Sequence, residues 1–270
     1  MGQPDMSNRP ISRPLALYVG AYVVFLYLPM TLIPIFSFND SVQAAFPLKG
    51  FTLAWYETLA ANERLHAAVG NSVIVATVAA AVATACGTLI AYADTRRRGR
   101  FAPMIAGLAR LPLLIPGVII GIALLILVNL IDLGPSLAAI ILGHIAICLP
   151  ISVTVMRTRF RAVPRSLEEA AMDLGADEWT MFRRVVLPLV LSAVAASFLL
   201  TFITSFDEFI AAFFLTGTNT TLPVFIWSQL RFPRELPGVM ALGSIILALS
   251  IIFVTVAEIL RRRGPSPIRT

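Results

Sequence analysis

Residues 166–188 read SLEEAAMDLGADEWTMFRRVVLP, a long polar segment set between strongly apolar ones. Its pattern predicts two short amphipathic helices joined by a turn. Ser166 and Glu169 have the S-x-x-E spacing of a capping box, in which hydroxyl and carboxylate satisfy unpaired amides at a helix start. Leu167, Ala170, Ala171 and Leu174 fall at i, i+3, i+4 and i+7 as a narrow apolar stripe, with Glu168, Glu169 and Asp173 as the acidic remainder. Gly175 is expected to end the first helix in a left-handed turn. The second helix has Asp177 and Glu178 at its start and Arg183 and Arg184 near its end, matching the macrodipole at both ends. Its apolar side is Trp179, Phe182 and Val186, and Leu187-Pro188 is expected to close the segment. These residues leave two readings open. The hairpin lies on a membrane surface, or it docks into a partner's groove, where alanines allow close approach.

Outward from this segment the chain is membrane-like. Hydrophobic residues make up 58% and charged residues 13%, and the mean hydropathy is +0.85. That composition indicates an integral membrane protein rather than a soluble domain. Six apolar runs, each near the roughly 20 residues that cross a bilayer, are placed at about 15–36, 67–93, 111–131, 137–157, 189–214 and 237–260. The expected fold is all-α and polytopic: a polar tail 1–14, one transmembrane domain 15–260 with the polar loop 158–188, and a tail 261–270. The first run is long enough to remain as an anchor, and Pro29 and Pro34 predict that its outer end is kinked or unwound. Ala83 and Gly87 have the small-xxx-small spacing of close helix packing. Pro112 and Pro116 mark the start of the third run, with Arg110 just before it placed to snorkel to the headgroups.

The net charge of +6 is a topological signal rather than a nucleic-acid one, because the arginines cluster beside apolar spans. With the N-terminus inside, the inner segments hold 16 of the 21 Lys and Arg, and the outer loops hold four: Lys49, Arg64, Arg231 and Arg234. The positive-inside rule then puts both termini and the 166–188 hairpin in the cytoplasm.

Several chemistries lack their signatures. There is no G-x-x-x-x-G-K-[ST] loop, so no ATP hydrolysis by this chain is expected. No catalytic residues, metal-ligand spacing or bound cofactor are expected either. Cys86 and Cys148 read as small packing residues. His66 is a lone loop histidine, and His144 reads as a satisfied packing residue within the fourth span.

Intramembrane charge is more informative. Asp207 and Glu208 lie within FITSFDEFI with no basic residue nearby in sequence. Carboxylates in a membrane cost about 2.5–3.5 kcal/mol or more each, so they should face a cavity or a partner. On a helix continued through Glu208, Ser197, Thr201, Thr204, Ser205 and Glu208 form one polar stripe with Glu208 central, as a water-lined pathway requires. The plainer reading is a structural polar contact with a neighbouring subunit.

Glu169-Ala170-Ala171, three residues, Gly175, nine residues, Val185, one residue and Leu187-Pro188 together resemble the cytoplasmic "EAA" loop of ATP-binding-cassette importer permeases, which usually have isoleucine at Val185. The resemblance runs from the first span to the last. It implies that Glu169, Ala170, Ala171 and Gly175 contact a separate ATPase, which uses the ATP. It also implies a second permease subunit, here expected to be a different chain, two cytoplasmic ATP-binding subunits, an external substrate-binding protein and a bacterial inner-membrane location. The S-F-D-E-F run is similar to the fifth span of spermidine/putrescine permeases. Trp55, otherwise a belt aromatic in the interfacial piece 51–56, matches an aromatic these permeases carry. The expected pathway residues are therefore Asp207, Glu208, Ser205, Thr204, Thr201 and Trp55. One departure stands out: such permeases often have an acid directly after a proline in the third span, where Pro116 is here followed by Gly117. The alternative is a self-contained cation channel or secondary transporter with Asp207 and Glu208 as a relay, a scheme with no role for the hairpin and without the inverted repeats common there.

Overall fold

A computed structural model describes residues 13–96 and 101–263. Among the described residues the regular structure is helical, with one isolated bridge between Asn39 and Phe51. The chain is thus an all-α polytopic membrane protein. Among the described residues five helical segments are long and apolar enough to cross a membrane: Arg13–Ser37, Glu63–Arg96, Leu137–Ala162, Glu178–Phe206 and Pro233–Ile252.

The remaining expected span, 111–131, is shorter. Leu111–Leu114 forms a single 3-10 turn, Ile115 is extended, and helix α5 runs only from Gly117 to Leu130. Pro112 and Pro116 are the cause, since each removes an amide and Pro116 pushes Ile115 out of helical geometry. Fourteen residues rise about 21 Å, short of the roughly 30 Å hydrocarbon core. A further apolar helix, α4 (Phe101–Leu108), precedes it between the second and third expected runs.

Two compact units are present. Of the described residues, the first combines 13–62 with 228–263. In it α1 (Arg13–Ser37) packs on α12 (Leu236–Arg263), and α12 also meets α2 (Ala54–Ala60). Of the two expected outcomes at Pro29 and Pro34, unwinding does not occur: α1 stays helical through both to Ser37. In a helix of membrane-spanning length, prolines bend the ladder without having to end it.

The second unit covers Glu63–Trp227. Here α3 (Glu63–Arg96), α6 (Leu137–Ala162) and α9 (Leu187–Phe206) pack on one another. Ala83 and Gly87 do serve close packing: both are buried, and a β-carbon at Gly87 would overlap the side chain of Ser152 on α6. Buried polar contacts run along the α6–α9 seam. Ser197 Oγ donates to Ser152 Oγ (2.9 Å), Cys148 Sγ lies 3.4 Å from the Thr201 carbonyl, and His144 Nδ1 lies 2.8 Å from Ser205 Oγ. Cys148 is a buried packing residue as expected; His144 is buried too but only half satisfied, its Nε2 having no hydrogen-bond partner among the described residues, and Cys86 is exposed. Helix α10 (Ile210–Leu215) lies on α5 and α6, with Phe214 filling the space above Gly121 and Leu215 that above Gly143.

Candidate functional site

The polar hairpin forms, with two departures from its predicted capping. Helix α7 spans Ser166–Asp173, but its N-cap is Arg165 and no side-chain cap is made. The Ser166–Glu169 capping box is absent because Ser166 is already helical. The first amides are instead taken by the carbonyls of Pro164 and Arg165. The other end is as read. Gly175 has φ +88°, Gly175 N–H donates to the Met172 carbonyl (2.9 Å), and Ala176 N–H donates to the Ala171 carbonyl (3.1 Å). These paired bonds are a Schellman closure, and Ala171 and Ala176 share the accompanying apolar contact against the core of Met156, Phe160, Met181 and Val186.

The second hairpin helix does not stop at Leu187-Pro188. Helix α8 (Glu178–Met181) passes through a π turn, Phe182–Val186, straight into α9. Pro188 cannot donate to the carbonyl four residues back and its ring crowds that group, and a wider i→i+5 turn relieves both problems without ending the helix. The hairpin's second arm and the fifth span are therefore one rod. Asp177, exposed at the start of α8, has its carboxyl held below the ordinary value by the Thr180 hydroxyl.

Of the residues assigned to ATPase contact, Glu169, Ala170 and Gly175 are exposed and Ala171 is half-buried. Three of the four stripe residues face outward, with Leu174 90% exposed and Leu167 and Ala170 also open, while Ala171 turns to the core; Met172 and, on α8, Trp179 (65%) are exposed as well. Glu168 turns inward instead. Its Oε1 lies 2.7 Å from Arg96 Nε, with both side chains at most 10% exposed. A second ion pair, Arg157 Nε to Asp94 Oδ2 at 2.6 Å, sits at the same end of α3. Removing one member of such a buried pair typically costs about 3–5 kcal/mol. Sequence reasoning missed all four residues. Their partners are more than 60 positions apart, and Glu168 carried no signal beyond its place at i−3 to the half-buried Ala171.

The acidic pair occupies a break rather than a helix face. Helix α9 ends at Phe206, Asp207 is its C-cap, and the chain resumes as α10 at Ile210. The expected continuous stripe through Glu208 is therefore not formed. Thr201 and Ser205, expected in the pathway, are buried in the seam with α3 and α6, Thr201 beside Thr84 Oγ1 at 3.4 Å. Polar residues at i and i+4 mark equally well a hydrogen-bonded helix seam, and here that use prevails. Thr204 is half-buried and its hydroxyl donates to the Leu200 carbonyl. Asp207 is exposed, while Glu208 is half-buried and its Oε1 accepts from the Ala211 amide (3.1 Å), capping α10. Arg110 Nε donates to the Ala106 carbonyl (2.7 Å). Gly117 adjoins this break: a β-carbon there would be 3.3 Å from Ile210 Cδ1. Trp55, in the other unit, is held by its indole N–H donating to the Asn39 carbonyl (3.0 Å), and Tyr56 OH lies 2.7 Å from Ser37 Oγ.

The spermidine/putrescine transport system permease protein PotC of Escherichia coli is 33% identical over 246 residues, 91% of this chain and 92% of that protein. The putrescine transport system permease protein PotI of the same organism is 34% identical, covering 90% of this chain and 89% of the relative. The fold matches that of a bacterial ABC transporter involved in import of the acidic polysaccharide alginate, with TM-score 0.70, 17% identity and coverage of 96% of this chain and 100% of that one. It also matches a bacterial alginate ABC transporter in complex with an alginate pentasaccharide-bound periplasmic protein (TM-score 0.71, 17% identity, 93% of each chain). Residues 83–263 match the family described as the binding-protein-dependent transport system inner membrane component, and this chain, a multi-pass membrane permease of the ABC importer type, belongs to that family.

Proposed function

We propose that this chain forms one half of the translocation pathway of an ATP-driven importer for a polyamine such as spermidine or putrescine. The observation that carries the substrate class is the similarity, along nine-tenths of the chain, to permeases of spermidine and putrescine systems. The break at Asp207–Phe209 agrees with it. An exposed carboxylate in a span is tolerated only toward water, a cation or a partner. Asp207, with Thr204 and Glu208 close to it in sequence, is the cationic-solute contact; Trp55, in the other unit, is a pathway residue by resemblance alone. Gly117 supplies no carboxylate, so recognition rests more heavily on Asp207. Thr201 and Ser205 support the pathway wall from behind rather than lining it.

In this reading the hairpin lies in the cytoplasm, with both termini on that side of a bacterial inner membrane. Glu169, Ala170, Ala171 and Gly175 dock into one of two ATP-binding subunits, which bind and hydrolyse ATP. A second permease chain completes the pathway, and an external binding protein delivers the solute. Family membership and the outward apolar stripe both favour this over a self-contained channel, which has no use for such a surface.

The test is the complex of both permeases with ATPase and binding protein, reconstituted in proteoliposomes and challenged with polyamines, amino acids and organic cations. Uptake and stimulated ATP hydrolysis with spermidine or putrescine alone are expected. Stimulation by a neutral or anionic solute instead would overturn the polyamine assignment.

A further inference from the structure

Four polar links tie the last turns of α3 to the hairpin and to α6. Arg96 Nε pairs with Glu168 Oε1 at 2.7 Å, and its Nη2 donates to the Val163 carbonyl at 2.8 Å. Arg165 Nη2 donates to the Thr95 carbonyl at 2.5 Å, and Arg157 Nε pairs with Asp94 Oδ2 at 2.6 Å. Simple anchorage does not require buried charge, because apolar packing supplies it more economically. Such packing is already present, through Ala171 and Ala176 on the core under the hairpin.

What the ion pair adds is direction. Helix α7 packs on α8 and the π turn, and from there the chain runs unbroken into α9, so any displacement of the hairpin reaches α9 through the backbone. Helix α3 has no such covalent route. Its end meets the hairpin's second arm through the Tyr92–Phe182 ring contact, and α7 itself through the buried ion pair of Arg96 with Glu168.

We propose that Arg96 and Glu168 are positioning residues for energy coupling: their buried pair carries displacement of the hairpin into α3, so that α3 and α9 move as one when the ATPase closes. Asp94–Arg157 extends the link to α6, making the cytoplasmic end of α3 the junction of all three packed helices. This rests on the reading of the hairpin as the ATPase dock. It adds that Glu168, next to the motif's own Glu169, acts inward on the permease rather than outward on the ATPase.

The experiment compares Glu168→Gln, Arg96→Gln and the double variant in the reconstituted importer complex. Three quantities are read: solute uptake per ATP hydrolysed, thermal stability of the complex, and disulfide cross-linking of Ala170→Cys to a cysteine on the ATPase. Each single variant leaves a buried charge uncompensated, and the double variant removes both charges. Expected are retained cross-linking and uptake per ATP lowered about fivefold or more, the lower end of usual coupling between sites. In the double variant stability recovers while uptake per ATP does not. If uptake per ATP recovers together with stability, or is never lowered, the pair is structural and the proposal fails. Should a single variant not assemble, the double variant alone decides between these outcomes. Failure of cross-linking in the parent complex would instead overturn the docking reading.

Discussion

His144 Nδ1 lies 2.8 Å from Ser205 Oγ inside the α6–α9 seam, and both residues are at most 3% exposed. His144 Nε2 has no hydrogen-bond partner among the described residues, so Ser205 is the ring's one recorded polar contact. Ser205→Ala strands the remaining ring nitrogen and is expected to destabilise the permease by about 1–3 kcal/mol. His144→Leu with Ser205→Ala removes both polar groups and should recover part of that loss. Thermal unfolding in detergent checks both. An unchanged midpoint for Ser205→Ala would show that the contact carries no stability.

Gly175 holds φ +88°, and nothing lies within 4 Å of a β-carbon built there. A β-carbon at Gly175 thus meets no neighbour, yet Gly175→Val strains the Schellman turn by roughly 1–3 kcal/mol. The expected outcome is normal membrane insertion with uptake reduced severalfold. Normal uptake at normal expression counts against a coupling role for the turn.

Asp207 is exposed at the end of α9, whereas Glu208 is occupied in capping α10. Glu208→Gln keeps a carbonyl acceptor for the Ala211 amide, so the cap survives. Asp207→Asn removes a charge that faces outward from the helix end. At an effective dielectric of about 20, a unit charge about 4 Å away interacts by about 4 kcal/mol. Even a third of that is worth about tenfold in affinity. Asp207→Asn should therefore reduce uptake of a divalent amine by about tenfold or more, and Glu208→Gln by less. Wild-type uptake in both variants would leave the pair structural.

Thr218 and Leu174 are both exposed, the one in the loop before α11 (Leu222–Leu230), the other at the tip of the hairpin. In otherwise cysteine-free chains, Thr218→Cys should react with an impermeant maleimide in intact cells and Leu174→Cys only after lysis. The opposite labelling would reverse the orientation argued from the arginines.

Much of this protein is determined by local pattern. Long apolar runs must satisfy their backbone internally in lipid, so they become helices whatever surrounds them. The Gly175 turn was legible for the same reason, since it depends on residues a few positions apart, and the Ala83–Gly87 spacing and the EAA spacing each lie within a single stretch of sequence. Tertiary structure decided the rest. Whether Thr201 and Ser205 line a pathway or fill a seam depends on which helix lies opposite, and it is α6 that presents His144, Cys148 and Ser152. Pro116 and Pro188 carry the same chemistry, yet one sets the start of a short helix and the other is absorbed in a π turn. A proline only removes a hydrogen bond, and the neighbouring packing determines how the backbone recovers. The Arg96–Glu168 pair spans 72 positions of sequence and exists only because α3 and the hairpin meet at one end of the bundle. A charge next to an apolar stripe reads as solvated until a partner for it is brought there by the fold.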